Sequence, residues 1–308
     1  LALKFGKDMS HDHRNGIGNY NRSFAIGVIL NIIFAAIEAS YGILADSLAL
    51  IADAGHNLSD VVSLLLAWGA SLLATKAATE KRTYGFRKAT VMASLISAIL
   101  LLAALGGITW EASGRFYNPK PVEGMTVIVV AAIGVVINTL TALLFVNGQK
   151  HDLNIRGAFL HMAADAGVSL GVVFAGIFIM VKGWLWIDPV VSLMIVAVIL
   201  FGTWRLLRDS INYAMDAVPA SIDIRAIRNY LMSFDHVNRI HDLHVWPLST
   251  TEIALTVHVV VNDDSLDNNF LQNLQQHLHD HFGIEHSTIQ VETSMGENDC
   301  MLDSKNCF

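Results

Sequence analysis

Two apolar stretches of the sequence each carry a histidine and an aspartate four positions apart. The residues concerned are His56, Asp60, His161 and Asp165. On a helix, residues i and i+4 lie on one face, so each pair can point the same way. If the two helices face each other, two imidazoles and two carboxylates converge, and this set of N and O ligands suits tetrahedral Zn²⁺. The spacing therefore predicts a metal site built by two helices.

A purely structural interpretation is a buried cluster in which Asp165 is hydrogen-bonded to His161. A single histidine in an apolar helix fits that interpretation, but the same His-x-x-x-Asp spacing occurs twice. An aspartate at the centre of a membrane helix costs about 2.5–3.5 kcal/mol, and ionisable groups placed there usually serve an ion pathway. We therefore favour a cation site.

Other polar residues lie in similar apolar surroundings. Asp53, three residues before His56, is predicted to support the metal ligands or to admit protons. Asn138, together with Asn31 and Glu38, is predicted to line the ion path. Hydrogen bonding between helices explains each of these residues equally well.

The same ligand chemistry predicts an exchange of metal for protons. An imidazole must be neutral and a carboxylate ionised before either binds a metal ion, so binding releases protons. Histidine titrates near neutral pH. Alternating access to the two sides of a membrane would convert this competition into antiport, and that alternation is a hypothesis.

The composition is that of a membrane protein. Of the 308 residues, 53% are hydrophobic and 15% are charged, whereas a soluble domain has roughly 25% charged residues. Six apolar segments are each about 20 residues or longer, as a spanning helix requires. They are residues 23–44, 47–74, 89–113, 124–147, 157–181 and 187–207.

Basic residues in the loops predict the orientation. Most of them follow the second, fourth and sixth segments, namely Lys76, Lys81, Arg82, Arg87, Lys88, Lys150, Arg156, Arg205 and Arg208. The positive-inside rule then places both termini in the cytoplasm. The chain is thus predicted to be a multi-pass protein, and the bacterial inner membrane is the expected location.

The last third of the chain differs from the rest. From Asn212 onward there are 14 acidic and 4 basic residues, a balance that repels nucleic acid and attracts cations. Its apolar spacing predicts the order α-β-β-α-β, a small sheet with helices on one face. Residues 253–261 alternate as a half-buried strand. We predict a cytosolic segment at 1–21, a six-helix transmembrane bundle at 22–211, a cytosolic α+β metal-binding and dimerisation domain at 212–295, and a tail at 296–308.

Several motifs resemble the cation diffusion facilitator family. Its second transmembrane helix is similar to residues 47–60, SLALIADAGHNLSD, and its fifth to residues 154–161, NIRGAFLH, with Asp165 following. Asp188-Pro189 and residues 241–246, HDLHVW, also match. The likeness is greatest to bacterial zinc-efflux members. It implies six transmembrane helices, a ferredoxin-like cytosolic domain, a homodimer and metal/proton exchange.

The resemblance also implies roles for particular residues. The transport site of the family falls on the two His-x-x-x-Asp pairs, and histidine in the second segment is associated with zinc, sometimes with cadmium or cobalt. A charge interlock near the dimer interface maps to Lys88 and Asp216. Some relatives have a metal site in the loop between the second and third helices, but residues 76–88 contain neither His nor Asp, so no site is expected there. Some have a His-rich loop between the fourth and fifth helices, where this chain has only His151.

A second zinc site in the cytosolic domain is implied by the likeness of His241, His258 and Glu292 to cytosolic ligands of the family. On a strand, His241 and His244 point to opposite faces, so only one can join a site. His286 and Glu292 share a face but lie about 20 Å apart at roughly 3.3 Å per residue. We therefore prefer Glu292 and keep His286 as a weaker candidate.

Residues near the two ends are further candidate ligands for this second site, in an arrangement that two chains of the dimer could share; they are Cys300, Cys307, His11 and His13. The alternative is that neither end of the chain binds metal.

The sequence as a whole predicts a Zn²⁺/H⁺ antiporter that exports zinc, with zinc also structural in the cytosolic domain. An exporter of Cd²⁺, Co²⁺ or Fe²⁺ with the same site is an alternative, because donor type does not separate these ions. A membrane metal sensor that transports nothing is another. An enzyme is not expected, since neither motif contains the His-Glu-x-x-His arrangement of zinc proteases.

Overall fold

The computed structural model describes residues 14–146, 153–234, 236–262 and 268–293. The six apolar segments are helices, as predicted: α1 Arg14–Leu44, α2 Leu48–Ala74, α3 Ala89–Tyr117, α4 Gly124–Phe145, α5 Leu153–Lys182 and α6 Ile187–Ala214. Within the described residues, five of these helices are long and apolar enough to cross a membrane. The apolar part of the sixth, α1, is shorter and runs from Ile29 to Leu44.

The chain forms two compact units. Within the described residues, one unit comprises the chain up to Val62 together with Leu101–Phe201, and the other comprises Ser63–Leu100 together with the chain from Gly202 to Thr293.

The first unit packs through small residues and exposes large apolar ones. A Cβ atom on Gly176 of α5 would lie 2.8 Å from Ile128 Cγ1 of α4, so glycine permits the close approach of these two helices. Trp110 and Phe201 are among the large apolar side chains left exposed on the helices. Exposed apolar surface of this extent is suited to lipid contact.

The amino-terminal end of α2 is held by Asp188 of α6. The Asp188 carboxylate accepts hydrogen bonds from Ser47 Oγ at 2.6 Å and from the backbone N–H groups of Leu48 and Ala49 at 2.9 and 3.2 Å. Arg115 Nη1 lies 3.5 Å from Asp188 Oδ2. A carboxylate at this end satisfies first-turn N–H groups and favours the helix dipole. Asp188 therefore fixes where α2, the helix of His56, begins.

The second unit contains the predicted α-β-β-α-β order. Its elements are α7 Ile224–Leu231, β1 Val237–Pro247, β2 Ile253–Val261, α8 Asn268–Phe282 and β3 His286–Thr293. The sheet order is β1-β2-β3, with β1 and β2 antiparallel and β2 and β3 parallel. Its core is formed by apolar residues including Ile227, Leu231, Leu255, Leu274 and Leu278.

One detail of the predicted sheet is wrong. The alternation in residues 253–261 predicted a half-buried strand, but β2 is buried along most of its length. It is the central strand, and the neighbouring strands supply His241 and Glu292, which contact His258. Side chains on both faces of β2 are therefore shielded from water.

Candidate metal centres

The four residues of the two His-x-x-x-Asp pairs meet where α2 and α5 contact each other. Across the helices, His161 Nε2 lies 2.9 Å from Asp60 Oδ2, and His56 Nε2 lies 3.4 Å from Asp165 Oδ1. Within each helix the distances are longer, 3.8 Å for His56 to Asp60 and 3.7 Å for His161 to Asp165. Each imidazole is therefore closest to the carboxylate of the opposite helix.

This arrangement fits a tetrahedral ion. With Zn–N and Zn–O bonds near 2.0–2.1 Å, neighbouring ligand atoms are about 3.3 Å apart. The ligand atoms of His56, His161 and Asp165 all lie within 4.8 Å of one another. His56 Nδ1 and Asp165 Oδ2 are buried and have no hydrogen-bond partner among the described residues. Asp60 lies outside this compact group of three and approaches it through His161.

The other polar residues of the bundle are buried near these ligands. Asp53 Oδ2 accepts a hydrogen bond from Ser169 Oγ at 2.9 Å, and Glu38 Oε2 accepts one from Asn57 Nδ2 at 3.3 Å. Asn138 is fully buried, and within the described residues neither polar atom of its amide has a hydrogen-bond partner. Ser169 and Asn57 were not predicted from the sequence as site residues, although Ser169 falls on the polar stripe of α5 and Asn57 on that of α2.

A second group of ligands lies on the sheet. Glu292 of β3 bridges two histidines, with Oε2 3.1 Å from His241 Nε2 and Oε1 2.8 Å from His258 Nδ1. The ligand atoms of the three residues lie within 4.8 Å of one another. Both histidines are buried, and the buried His241 Nδ1 has no hydrogen-bond partner among the described residues. Two imidazoles and a carboxylate are a donor set that suits Zn²⁺.

A bulge in β1 turns His241 toward this group. The pairing of β1 with β2 shifts between His241 and His244, and Asp242 has a φ of 50°. His241 pairs with His258 and His244 pairs with Thr256, so the bulge places both histidines on one face of the sheet, and the prediction that they point to opposite faces is wrong. Only the buried His241 joins the group, whereas His244 is exposed and its ring lies 2.9 Å from Asp242 Oδ1. The bulge also brings Asp242 Oδ2 to 3.7 Å from His258 Nε2. Asp242 was not predicted from the sequence, because no local pattern marks a bulge there.

His286 lies at the opposite end of β3 from Glu292. It pairs with Ala254 of β2, and its ring meets the ring of Tyr84 edge-to-face at 5.5 Å. It does not join the group formed by His241, His258 and Glu292. The other candidate ligands of the cytosolic site, His11, His13, Cys300 and Cys307, lie outside the described residues.

Comparison with known proteins follows the same division of the chain. The profile of the cation efflux transmembrane domain matches residues 24–213, and that of the cation efflux protein cytoplasmic domain matches residues 219–294. The chain belongs to the cation efflux family.

Similar members of the cation efflux family are bacterial. The "Cadmium, cobalt and zinc/H(+)-K(+) antiporter" of Bacillus velezensis is 36% identical, covering 97% of this chain and 98% of the relative. The "Zinc transporter ZitB" of Escherichia coli is 36% identical, covering 87% of this chain and 86% of the relative. The solved metal-bound C-terminal domain of a CzcD transporter is 37% identical and covers 23% of this chain and 99% of that structure, with a TM-score of 0.21.

Family membership makes this a multi-pass membrane protein, in which α1–α6 form the transmembrane domain of a cation efflux protein and α7–β3 form its cytoplasmic domain. Next to the cytoplasmic domain, Lys88 Nζ pairs with Asp216 and donates to the Tyr213 carbonyl at 2.9 Å. Arg87 Nη1 lies 3.0 Å from Glu252 Oε2. The two charges that the resemblance assigned to an interlock therefore contact each other within one chain.

Proposed function

We propose that this chain exports Zn²⁺ from the cytoplasm of a bacterial cell in exchange for protons, as a transporter rather than an enzyme. The observation that carries the proposal is the meeting of two imidazoles and two carboxylates from α2 and α5. The short distances across the helices suit a small divalent ion held by N and O ligands.

Proton exchange follows from the contacts among the ligand side chains. His161 lies at hydrogen-bond distance from Asp60, and His56 lies near Asp165, so each ring nitrogen can carry a proton between itself and a carboxylate. A zinc ion needs the ring nitrogens without those protons. Binding of zinc therefore displaces protons, and protonation from the other side of the membrane displaces zinc.

The orientation and the assembly are part of the same proposal. Basic residues of the loop at 75–88 and after α6 support a cytoplasmic location for both termini under the positive-inside rule. The α7–β3 domain then faces the cytoplasm, where it joins two chains as a homodimer. His241, His258 and Glu292 would hold a zinc ion there, and this ion would tie β3 to β1 and β2.

Zinc uptake into vesicles tests the transport site. Purified protein is placed in vesicles with an acidic interior and a trapped zinc dye, and Zn²⁺ is added outside. The parent should accumulate zinc only while the pH gradient persists, and Asp165→Asn should reduce the rate at least about tenfold because it removes a charged ligand from a buried site. Asp209→Asn removes an exposed carboxylate of α6 and should leave the rate unchanged.

Two results would contradict the proposal. Absence of zinc flux in the parent would favour a membrane metal sensor. Equal flux in the parent and in Asp165→Asn would remove the assigned site.

A broader ion range is the second candidate. The printed name of the Bacillus velezensis relative includes cadmium and cobalt, and imidazole and carboxylate ligands alone do not separate these ions or Fe²⁺ from Zn²⁺. The same vesicles with Cd²⁺, Co²⁺ or Fe²⁺ in place of Zn²⁺ measure the selectivity. Rates comparable to the zinc rate would establish the broader exporter.

A further inference from the structure

Beside the candidate transport site, two carboxyl groups are buried in the bundle. Glu38 of α1 and Asp53 of α2 both have 0% of their surface exposed. Glu38 Oε2 accepts a hydrogen bond from Asn57 Nδ2, and Asn57 follows Asp53 by four residues, so it lies on the same face of α2. Both carboxyl groups therefore lie beside one face of α2 and form a buried acidic pair.

The surroundings of the pair supply few donors and no fixed cation. Ser169 donates to Asp53 Oδ2, and Asn57 donates to Glu38 Oε2. The other two oxygens, Glu38 Oε1 and Asp53 Oδ1, are buried and accept no hydrogen bond from the described residues. No lysine or arginine in the described part of the chain forms an ion pair with Glu38 or Asp53.

The titratable groups that face the pair come from the transport site itself. His56 follows Asp53 by three residues on α2 and lies 3.4 Å from Asp165 of α5. The Asp165 carboxylate adds negative charge, and His56 is positive only when protonated. Two buried carboxylates close together cannot both ionise without a compensating cation. In the metal-free protein the pair therefore holds one proton.

The pair is separate from the metal ligands but lies one helical turn away. Along α2, contacts with α5 run from Asp60–His161 through His56–Asp165 to Asp53–Ser169. Residue numbers fall on α2 as they rise on α5, so the helices are antiparallel at this contact. Asp53 precedes His56 by three residues, a rise of about 4.5 Å along the axis. The pair thus lies on the side of the site toward the start of α2.

We propose that the Glu38–Asp53 pair is a proton-binding site, distinct from the metal ligands, that releases its proton when a divalent cation occupies the neighbouring site. The proposal rests on the metal/proton exchange proposed above. A charge of +2 one turn away, in surroundings of low dielectric constant, stabilises the ionised pair. The carboxylic O–H bond breaks, the proton leaves to water, and the remaining carboxylate compensates part of the charge of the ion.

Infrared spectroscopy of the full chain in lipid tests the shared proton without any transport. At neutral pH without metal, the parent should show the carbonyl stretching band of a protonated carboxylic acid, and added Zn²⁺ should remove it. The double variant Glu38→Gln/Asp53→Asn, which keeps the shape of the neutral pair, should lack the band. Glu38→Asp keeps both acids and should retain it. Absence of the band from the parent, or its persistence in the double variant, would overturn the proposal.

Proton release on zinc binding provides the second test. In a weakly buffered solution, the double variant should bind zinc at the transport site and release about one proton fewer per zinc than the parent. The same proton count in both proteins would refute the role of the pair. If the parent instead shows no zinc flux in vesicles, the transport proposal fails, and the infrared band still decides whether the pair holds a proton.

Discussion

Replacement of Asp188 by alanine should destabilise the membrane domain by about 3–5 kcal/mol. Asp188 accepts hydrogen bonds from Ser47 Oγ and from the N–H groups of Leu48 and Ala49. Each lost hydrogen bond costs about 1 kcal/mol, and more when the remaining donor stays buried. The guanidinium of Arg115, which is 5% exposed, also loses a buried partner, and breaking such a pair costs about 3–5 kcal/mol.

The expected loss is smaller than the sum of these contributions, since Arg115 keeps the Asp46 carboxylate at 2.6 Å and is not left as an unpaired buried charge. Unfolding in mixed detergent micelles, followed by tryptophan fluorescence, measures the free energy of unfolding. Glu111→Gln is the matched control, because Glu111 lies 3.5 Å from the same arginine but its side chain is 43% exposed. An exposed pair of this kind contributes about 0–1 kcal/mol.

Equal effects of the two substitutions would refute this reasoning. If Asp188→Ala and Glu111→Gln lower the free energy of unfolding by the same amount, the Asp188 carboxylate does not hold the start of α2 as the structure indicates.

Three further predictions concern the metal centres and the packing that positions them. Zinc affinity at the candidate transport site should fall as the pH is lowered, by about tenfold per pH unit for each proton displaced. Isothermal titration calorimetry at several pH values measures this affinity. An affinity that is constant with pH would argue against proton exchange. Glu292→Gln should remove one zinc equivalent from the full chain in equilibrium dialysis and leave vesicle transport measurable, whereas an unchanged stoichiometry would exclude the cytosolic site. Gly176→Val should lower the free energy of unfolding by about 1–3 kcal/mol, because even a Cβ atom would lie 2.8 Å from Ile128 Cγ1 and overpacking is costly. Gly171→Val is the control and should cost less, because among the described residues no atom beyond the adjoining backbone of its own helix lies within 4 Å of an added Cβ.

The spacing of residues along the chain was enough to predict the elements and the pairing of residues within each helix of the candidate transport site. The i,i+4 spacing places His56 with Asp60, and His161 with Asp165, on one face of a helix, since that relation depends only on the geometry of the helix. Apolar length predicted six helices, and the element order of the cytoplasmic domain was also correct. Such local periodicity is written in neighbouring residues, so no tertiary information is needed to find it.

Contacts between elements were decided by the tertiary structure. Nothing in the spacing of α2 required His56 to lie closest to Asp165 of α5 rather than to Asp60 of its own helix. The burial of Glu38 and its hydrogen bond from Asn57 of α2 likewise depend on where α1 packs.

The sheet shows the same limit. Alternation predicted one exposed face on β2, but its central position buries both, and the bulge at Asp242 turns His241 toward Glu292. A bulge adds one residue to a strand and thereby changes which side chains share a face. The sequence by itself therefore determined which residues have the chemistry to bind a metal ion. The packing of distant segments decided which of them share a site, because those distances depend on long-range contacts that local spacing does not encode.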